Sequence, residues 1–277
     1  MDGEQLAGSM GNGGNVYRRG EVVIRPLGPH SEATNQLLQA LELTPFVAPV
    51  PVGVAAGVQE FRWIDGDVAV PPFPRWVLSD GALASAGRLL RTYHETVAQL
   101  EFPPDLDWSR EGVVDPQGGP VICHNDVCPE NVVYRDGQAI ALLDFDFAAP
   151  GRPVWDLAHM ARMWAPMRPP DLVAEGMVGL DPFHRLAVLV DAYGLQPDDY
   201  EELVDAIVES GRAGMHFVRS RLEAGELAFV HAWEPHGGIR ALDQILTWLV
   251  SNEAKMLAAL RQEDPLSPTR SRAPMAS

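Results

Sequence analysis

Asp136-Gly137, with apolar runs on both sides, is a strong signal for a two-residue β-hairpin turn. The surrounding stretch, residues 121–146, reads VICHNDVCPENVVYRDGQAIALLDFD. A turn centred there sets Arg135 opposite Gln138 and Asn131 opposite Leu142. Side chains alternate along a strand, so Asn131 and Asp144 are predicted to share one face as diagonal neighbours. An amide oxygen and a carboxylate placed together suit Mg²⁺, which takes a few oxygen ligands plus substrate phosphates. Asp126, five residues before Asn131, falls in a loop that can hold its carboxylate near such an ion without ligating it. A carboxylate so placed can take a proton from a hydroxyl nucleophile.

Taken singly, Asp and Asn at strand ends are usually caps and turn formers. It is His124, Asp126, Asn131 and Asp144 together, in one hydrophobic frame, that point to chemistry. Asp146 fits a metal ligand or substrate contact, and equally an N-cap or an ion pair. Cys123, His124 and Cys128 match no standard zinc spacing.

The chain of 277 residues, 46% hydrophobic, is long enough for one large domain or two packed lobes. Its net charge of −17 argues against a nucleic-acid partner and permits, without demanding, a cationic small-molecule substrate. No apolar run reaches membrane-spanning length, so no membrane partner is expected. The acidic start Met1-Asp2-Gly3-Glu4-Gln5 lacks the apolar stretch of a secretory signal, and the expected location is cytoplasmic. Two cysteines make no disulfide scaffold. Of 21 basic residues only Lys255 is a lysine, and it lies between Ala254 and Met256. That excludes a Walker A loop, so any cation that meets a phosphate here is expected to be an arginine.

The expected layout is α+β and bilobal. Residues 1–14 read as a flexible N-terminus, 15–74 as a small β-rich lobe, 75–263 as a larger, mainly helical lobe, and 264–277 as a disordered tail. In the small lobe, Asn15–Arg18 and Glu21–Arg25 predict two strands around Arg19-Gly20, with Pro26 ending the second. Ser31 is the expected cap of a helix that Thr44-Pro45 stops, and Val47–Val54 and Val58–Ile64 predict further strands. After the prolines at 71, 72 and 74, Asp80 is the expected cap of a long helix. Further helices are predicted at about Val154–Trp164, Phe183–Tyr193, Asp199–Leu222 and Ile239–Leu260. The acidic run from Asp198 to Glu202, with Asp205 and Glu209, fits attraction of an ammonium-bearing acceptor, but its place after Pro197 better suits a helix N-terminus, where carboxylates complement the dipole.

His-x-Asp-x-x-x-x-Asn followed by hydrophobics and Asp-x-Asp resembles the aminoglycoside phosphotransferase and choline kinase group, which has the protein-kinase-like fold. Residues Val16–Pro26 resemble that family's first-lobe strands. Phe147–Gly151 with Trp155-Asp156-Leu157-Ala158 is similar to its usual continuation. The resemblance spans roughly residues 14 to 262 and weakens past 170. It implies an ATP- and Mg²⁺-dependent phosphotransferase acting on a small-molecule hydroxyl. Asp126 would be the catalytic base, Asn131 and Asp144 would hold Mg²⁺, and His124 would brace the loop. Arg62-Trp63-Ile64-Asp65 would form the hinge, near 62–66, that receives adenine.

Four positions depart from the family pattern. Arg25 stands where a strand lysine is usual, either as a phosphate contact or as a solvent-exposed strand end. Thr34 takes the place of the helix glutamate, with Glu32 nearby. Asn125 replaces a glycine, and Gly11-x-Gly13-Gly14 is off the spacing of a phosphate-covering loop. The missing lysine and glutamate keep open a second reading, a kinase-like binding, immunity or regulatory protein without turnover.

Overall fold

In the computed structural model, which describes residues 3–6 and 15–262, the small lobe is built on an antiparallel sheet. Strands β2 (Tyr17–Arg19) and β3 (Val22–Pro26) form its first hairpin. Arg19 pairs with Val22, so the turn residues are Gly20 and Glu21, one step beyond the expected pair. Gly20 has φ +62°, a backbone conformation glycine adopts without a Cβ penalty. Strand β1 (Glu4–Gln5) adds to the outer edge by pairing with Tyr17 and Arg18. Part of the N-terminus expected to be flexible is therefore held by backbone hydrogen bonds. The glycine cluster at 11–14 and the tail at 264–277 lie outside the described residues.

Helix α1 (Ser31–Glu42) follows. Ser31 is its first residue and not its cap: the hydroxyl donates to the Gly28 carbonyl at 2.8 Å. Leu37, Leu38 and Leu41 bury one face of the helix. Strands β4 (Pro51–Ala55) and β5 (Val58–Arg62) complete the five-stranded sheet in the order β1-β2-β3-β5-β4, both shorter than expected. The short strand β6 (Asp67–Val68) lies within the stretch assigned to the small lobe, yet it pairs with the hairpin that carries the motif.

The larger part begins with α2 (Asp80–Val97), capped by Ser79, whose hydroxyl accepts from Ala82 N–H at 3.2 Å; Asp80 is only the first helical residue. Strand β7 (Val121–Cys123) leads into the loop of the motif. Strands β8 (Val132–Arg135) and β9 (Gln138–Leu142) form the hairpin, and β10 (Ala149–Gly151) returns to pair with β7. Helices α3 (Pro153–Trp164), α4 (Pro182–Tyr193) and α5 (Tyr200–Glu223) fall close to expectation. A short helix α6 (Leu227–Trp233) was not expected. The last predicted helix is two, α7 (Ile239–Ser251) and α8 (Glu253–Arg261). Asn252 divides them, its side-chain amide donating to the Trp248 carbonyl at 2.7 Å and competing with the helical ladder.

Helix α2 packs on α4 and α3 on α5, and one hydrophobic core runs from Leu37 and Phe61 in the small lobe to Leu249 and Leu260. No helix among the described residues is long and apolar enough to cross a membrane.

Candidate active site

The hairpin turn falls at Asp136-Gly137 and Arg135 pairs with Gln138, as the sequence predicts. Between Val133 and Tyr134 the ladder shifts by one residue, so Val132, not Asn131, faces Leu142. Asn131 instead ends a 3₁₀ turn (Pro129–Asn131), and its carbonyl accepts from Leu143 N–H at 2.8 Å. The proposed Asn131–Asp144 diagonal on a regular ladder is thus replaced. Asp144 sits past the strand end with φ +61°, a left-handed conformation uncommon for a residue with a Cβ. Such strain is found where surrounding structure enforces a particular side-chain direction.

Asn131 donates its amide to the Asp126 backbone carbonyl at 2.9 Å and to Asp126 Oδ2 at 3.0 Å. Among the described residues nothing donates to Asn131 Oδ1, which leaves that oxygen available to a cation. Burial first, and then the charges of Asp144 and Glu130, raise the pKa of Asp126 to about 7. The Asn131 amide works in the opposite direction by favouring the carboxylate.

Arg25 is buried, not a solvent-exposed strand end. From β3 it reaches both acids of the Asp-x-Asp segment, donating from Nη1 to Asp144 Oδ1 at 3.0 Å and from Nη2 to Asp146 Oδ1. Burial lowers its pKa, and Asp146 and Asp144 more than reverse that. Asp146 is still raised, by burial and by the charge of Asp144. Two carboxylates thus share one guanidinium, with Asp126 close enough to feel the charge of Asp144, an excess of negative charge that fits a divalent cation. Thr34 on α1 donates to the Phe145 carbonyl at 3.4 Å, whereas Glu32 is exposed and bonded to Gln36. Among the described residues no glutamate therefore braces Arg25; Asp144 and Asp146 do.

The loop is held from behind by Asp156, a residue the sequence offers only as part of the family's continuation. Fully buried on α3, its carboxylate accepts from the backbone amides of His124 and Asn125, each at 2.7 Å, and contacts His94 Nε2 at 3.1 Å. Burial opposes its ionisation, but the His94 hydrogen bond and the nearby imidazoles hold its pKa below the usual carboxylate value. The only sequence signal for this role is an acid set in the apolar run Val154–Ala158.

His124 Nε2 lies 2.8 Å from the Leu143 carbonyl, and Nδ1 accepts from Asp126 N–H at 3.3 Å, which defines the ring's tautomer. Asn125 has φ +64°, and its side chain donates to the Phe147 carbonyl at 2.8 Å. The left-handed backbone is the reason glycine suits this position, and asparagine tolerates it. Of the zinc candidates, Cys123 donates to the Arg152 carbonyl at 3.3 Å. Its neighbours His94 and Asp156 are already hydrogen-bonded, so the group is structural.

At the hinge, Arg62 N–H bonds the Val50 carbonyl and Trp63 N–H the Glu21 carbonyl, at 2.9 and 2.8 Å. The Arg62 side chain is exposed, 3.7 Å from Glu42, and the Trp63 ring lies under the Arg18 guanidinium at 3.9 Å. Neither side chain is bonded to the acid cluster. Ile64 N–H has no hydrogen-bond acceptor among the described residues, and it alone of the three amides remains free for a base edge. In the acidic run, Glu201 pairs with Arg261 and Glu202 with Arg152.

A β-rich lobe and a helical lobe joined at an Asp-Asn-Asp cluster define a protein-kinase-like phosphotransferase fold. The phosphotransferase enzyme family matches residues 105–189, which hold Asp126, Asn131, Asp144 and Asp156. The trifolitoxin immunity protein of Rhizobium leguminosarum bv. trifolii is 32% identical over 204 residues, 70% of this chain and 75% of that protein. A choline/ethanolamine kinase family protein from Mesorhizobium loti shares the fold with TM-score 0.60 at 19% identity, over 95% of this chain and 93% of that one. Amicoumacin kinase hAmiN does so with TM-score 0.59 at 12% identity, over 84% of each chain. The chain belongs to the phosphotransferase enzyme family.

Proposed function

We propose that the protein transfers the γ-phosphoryl group of ATP, with Mg²⁺, to a hydroxyl of a small molecule. The observation that carries this reading is the meeting of Asp126, Asn131, Asp144 and Arg25, drawn from both lobes, in one under-neutralised cluster. Asp126, with its pKa raised to about 7, is matched to accept a hydroxyl proton near neutral pH. The Asn131 amide fixes its direction. Asn131 Oδ1 and Asp144 would hold the ion, which when bound neutralises phosphate charge. Arg25 would contact the phosphates, dividing its donors between them and the two carboxylates. Arg62, Trp63 and Ile64 would border the adenine, with the Ile64 amide as donor. The solved structure of amicoumacin kinase hAmiN, which holds AMP-PNP and Ca²⁺, supports nucleotide use by this fold.

The test is transfer of label from γ-labelled ATP to a panel of hydroxyl compounds. Acceptor-dependent product that Asp126→Asn abolishes is the expected result; ATP loss independent of acceptor and of Asp126 would count against it.

A second reading, a kinase-like immunity or binding protein without turnover, draws on two observations. One is the identity to the trifolitoxin immunity protein. The other is that Arg25 occupies both Asp144 and Asp146. It predicts a folded protein that neither binds nor consumes nucleotide.

A further inference from the structure

Arg162 on α3 is 7% exposed, yet no carboxylate among the described residues lies within ion-pair distance of it. Its Nε donates to Ser210 Oγ at 3.2 Å, and neither terminal nitrogen has an acceptor among the described residues. Neither is enclosed, in contrast to the buried, unpaired Nη2 of Arg185. The guanidinium packs against α5 at Gly214, where a Cβ would lie 3.3 and 3.4 Å from the two terminal nitrogens. Arg168, half-buried just beyond the helix, also lacks an acidic partner and repels Arg162. One turn before Arg162, His159 is buried with Nδ1 unpaired. Burial and the Arg162 charge push the imidazole down to about 3, so it is neutral and able to donate one N–H. Burial, with Arg168, pushes Arg162 itself down to about 10.

A buried cation without a counter-ion is costly, and in a chain of net charge −17 acids were abundant to supply one. Within the cluster, His159 lies close enough to Asp156 and to His124 of the Asp126 loop for their charges to act on it. On the same helix, Asp156 holds His124 and Asn125, and Trp164 Nε1 donates to the Val127 carbonyl at 2.9 Å. These two anchors are about 12 Å apart along α3, with His159 and Arg162 between them.

We propose that Arg162, Arg168 and His159 form an anion subsite, so that the phosphate acceptor is a hydroxyl compound carrying a carboxylate or phosphate group. The assignment of the anion to the acceptor rests on the reading of Asp126 as the base. Guanidinium forks match either anion bidentately. The protein's overall charge repels such a ligand only weakly beyond a Debye length, about 8 Å at physiological salt, so the local pair governs.

The test is thermal unfolding with malonate and, separately, inorganic phosphate, each balanced against chloride at equal ionic strength. An anion at a hundredfold excess over its Kd is expected to raise Tm by about 5 °C or more. Arg162→Met and Arg168→Gln should remove the rise, while Arg25→Ala retains it. If Arg162→Met fails to fold, Arg168→Gln at the half-buried position carries the test. A shift with malonate identifies carboxylate recognition, and one with phosphate alone identifies a phosphorylated acceptor. No shift with either anion, a shift that survives both variants, or one lost in Arg25→Ala, would overturn the proposal. Binding is read without turnover, so a failed transfer assay and a failed anion site remain separate results.

Discussion

Arg25 and Asp144, 119 residues apart in the chain, are bonded Nη1 to Oδ1 at 3.0 Å, and the same guanidinium holds Asp146. One side chain thus ties the β-rich lobe to the segment that ends the hairpin of the helical lobe. It stands where the resemblance leads one to expect a strand lysine, and Asp144 and Asp146 hold it where a helix glutamate would be expected.

Arg25→Ala should therefore act on stability as well as affinity. It leaves two partly buried carboxylates without their cation, a change worth about 3 kcal/mol of destabilisation. Denaturant melts at pH 7 measure it. Mg²⁺ alone should recover part of the loss, and ATP affinity should fall more than adenosine affinity. Equal losses for the two ligands would make Arg25 structural only.

Asp126→Asn should reduce transfer by about 10²- to 10⁴-fold while leaving MgATP binding nearly intact. In the wild type, the rate should rise as pH increases through about 7, because the carboxylate form is the base. The linkage has the opposite sign for stability. A carboxyl with a raised pKa binds more protons folded than unfolded, so stability falls between about pH 4 and pH 7. Relative to the wild type, Asp126→Asn should gain stability across that range and then level off, as pH-resolved melts would register.

Asn125 separates two backbone effects. Asn125→Gly keeps the left-handed backbone and loses only the bond to Phe147. Asn125→Ala loses the bond and adds about 1–2 kcal/mol of conformational cost. Alanine should be the more destabilising by that margin; equal melting of the two variants would remove the backbone argument.

Asp156→Ala should cost about 3 kcal/mol, since two buried amides and His94 lose their acceptor together. The lowered pKa of Asp156 means that its stabilisation is present above the ordinary aspartate range and is lost as pH falls through and below it. The deficit of the variant at pH 7 should shrink in acid, as melts at pH 3 and pH 7 would compare.

Much of this arrangement is legible in sequence because it is local. Asp136-Gly137 marks the hairpin, and the spacing from Asp126 to Asn131 lets the second reach back to the first. The bulge between Val133 and Tyr134 leaves no mark in an alternating apolar pattern, so the regular ladder was the natural expectation and the wrong one. Asp156 and Arg162 are harder. Their roles depend on which loop and which glycines of another helix come to face them, and an acid or an arginine in an apolar helix does not reveal its partner. The cap at Ser79 illustrates a finer limit: Ser79 and Asp80 are both good caps, and one residue of helix phase decides between them.

Calorimetric titration with ATP, with and without Mg²⁺, for the wild type and Asp144→Ala, tests the nucleotide site most directly. The account predicts Mg²⁺-dependent binding that the variant loses. Absence of binding at millimolar ATP, or binding that Asp144→Ala leaves unchanged, would contradict it.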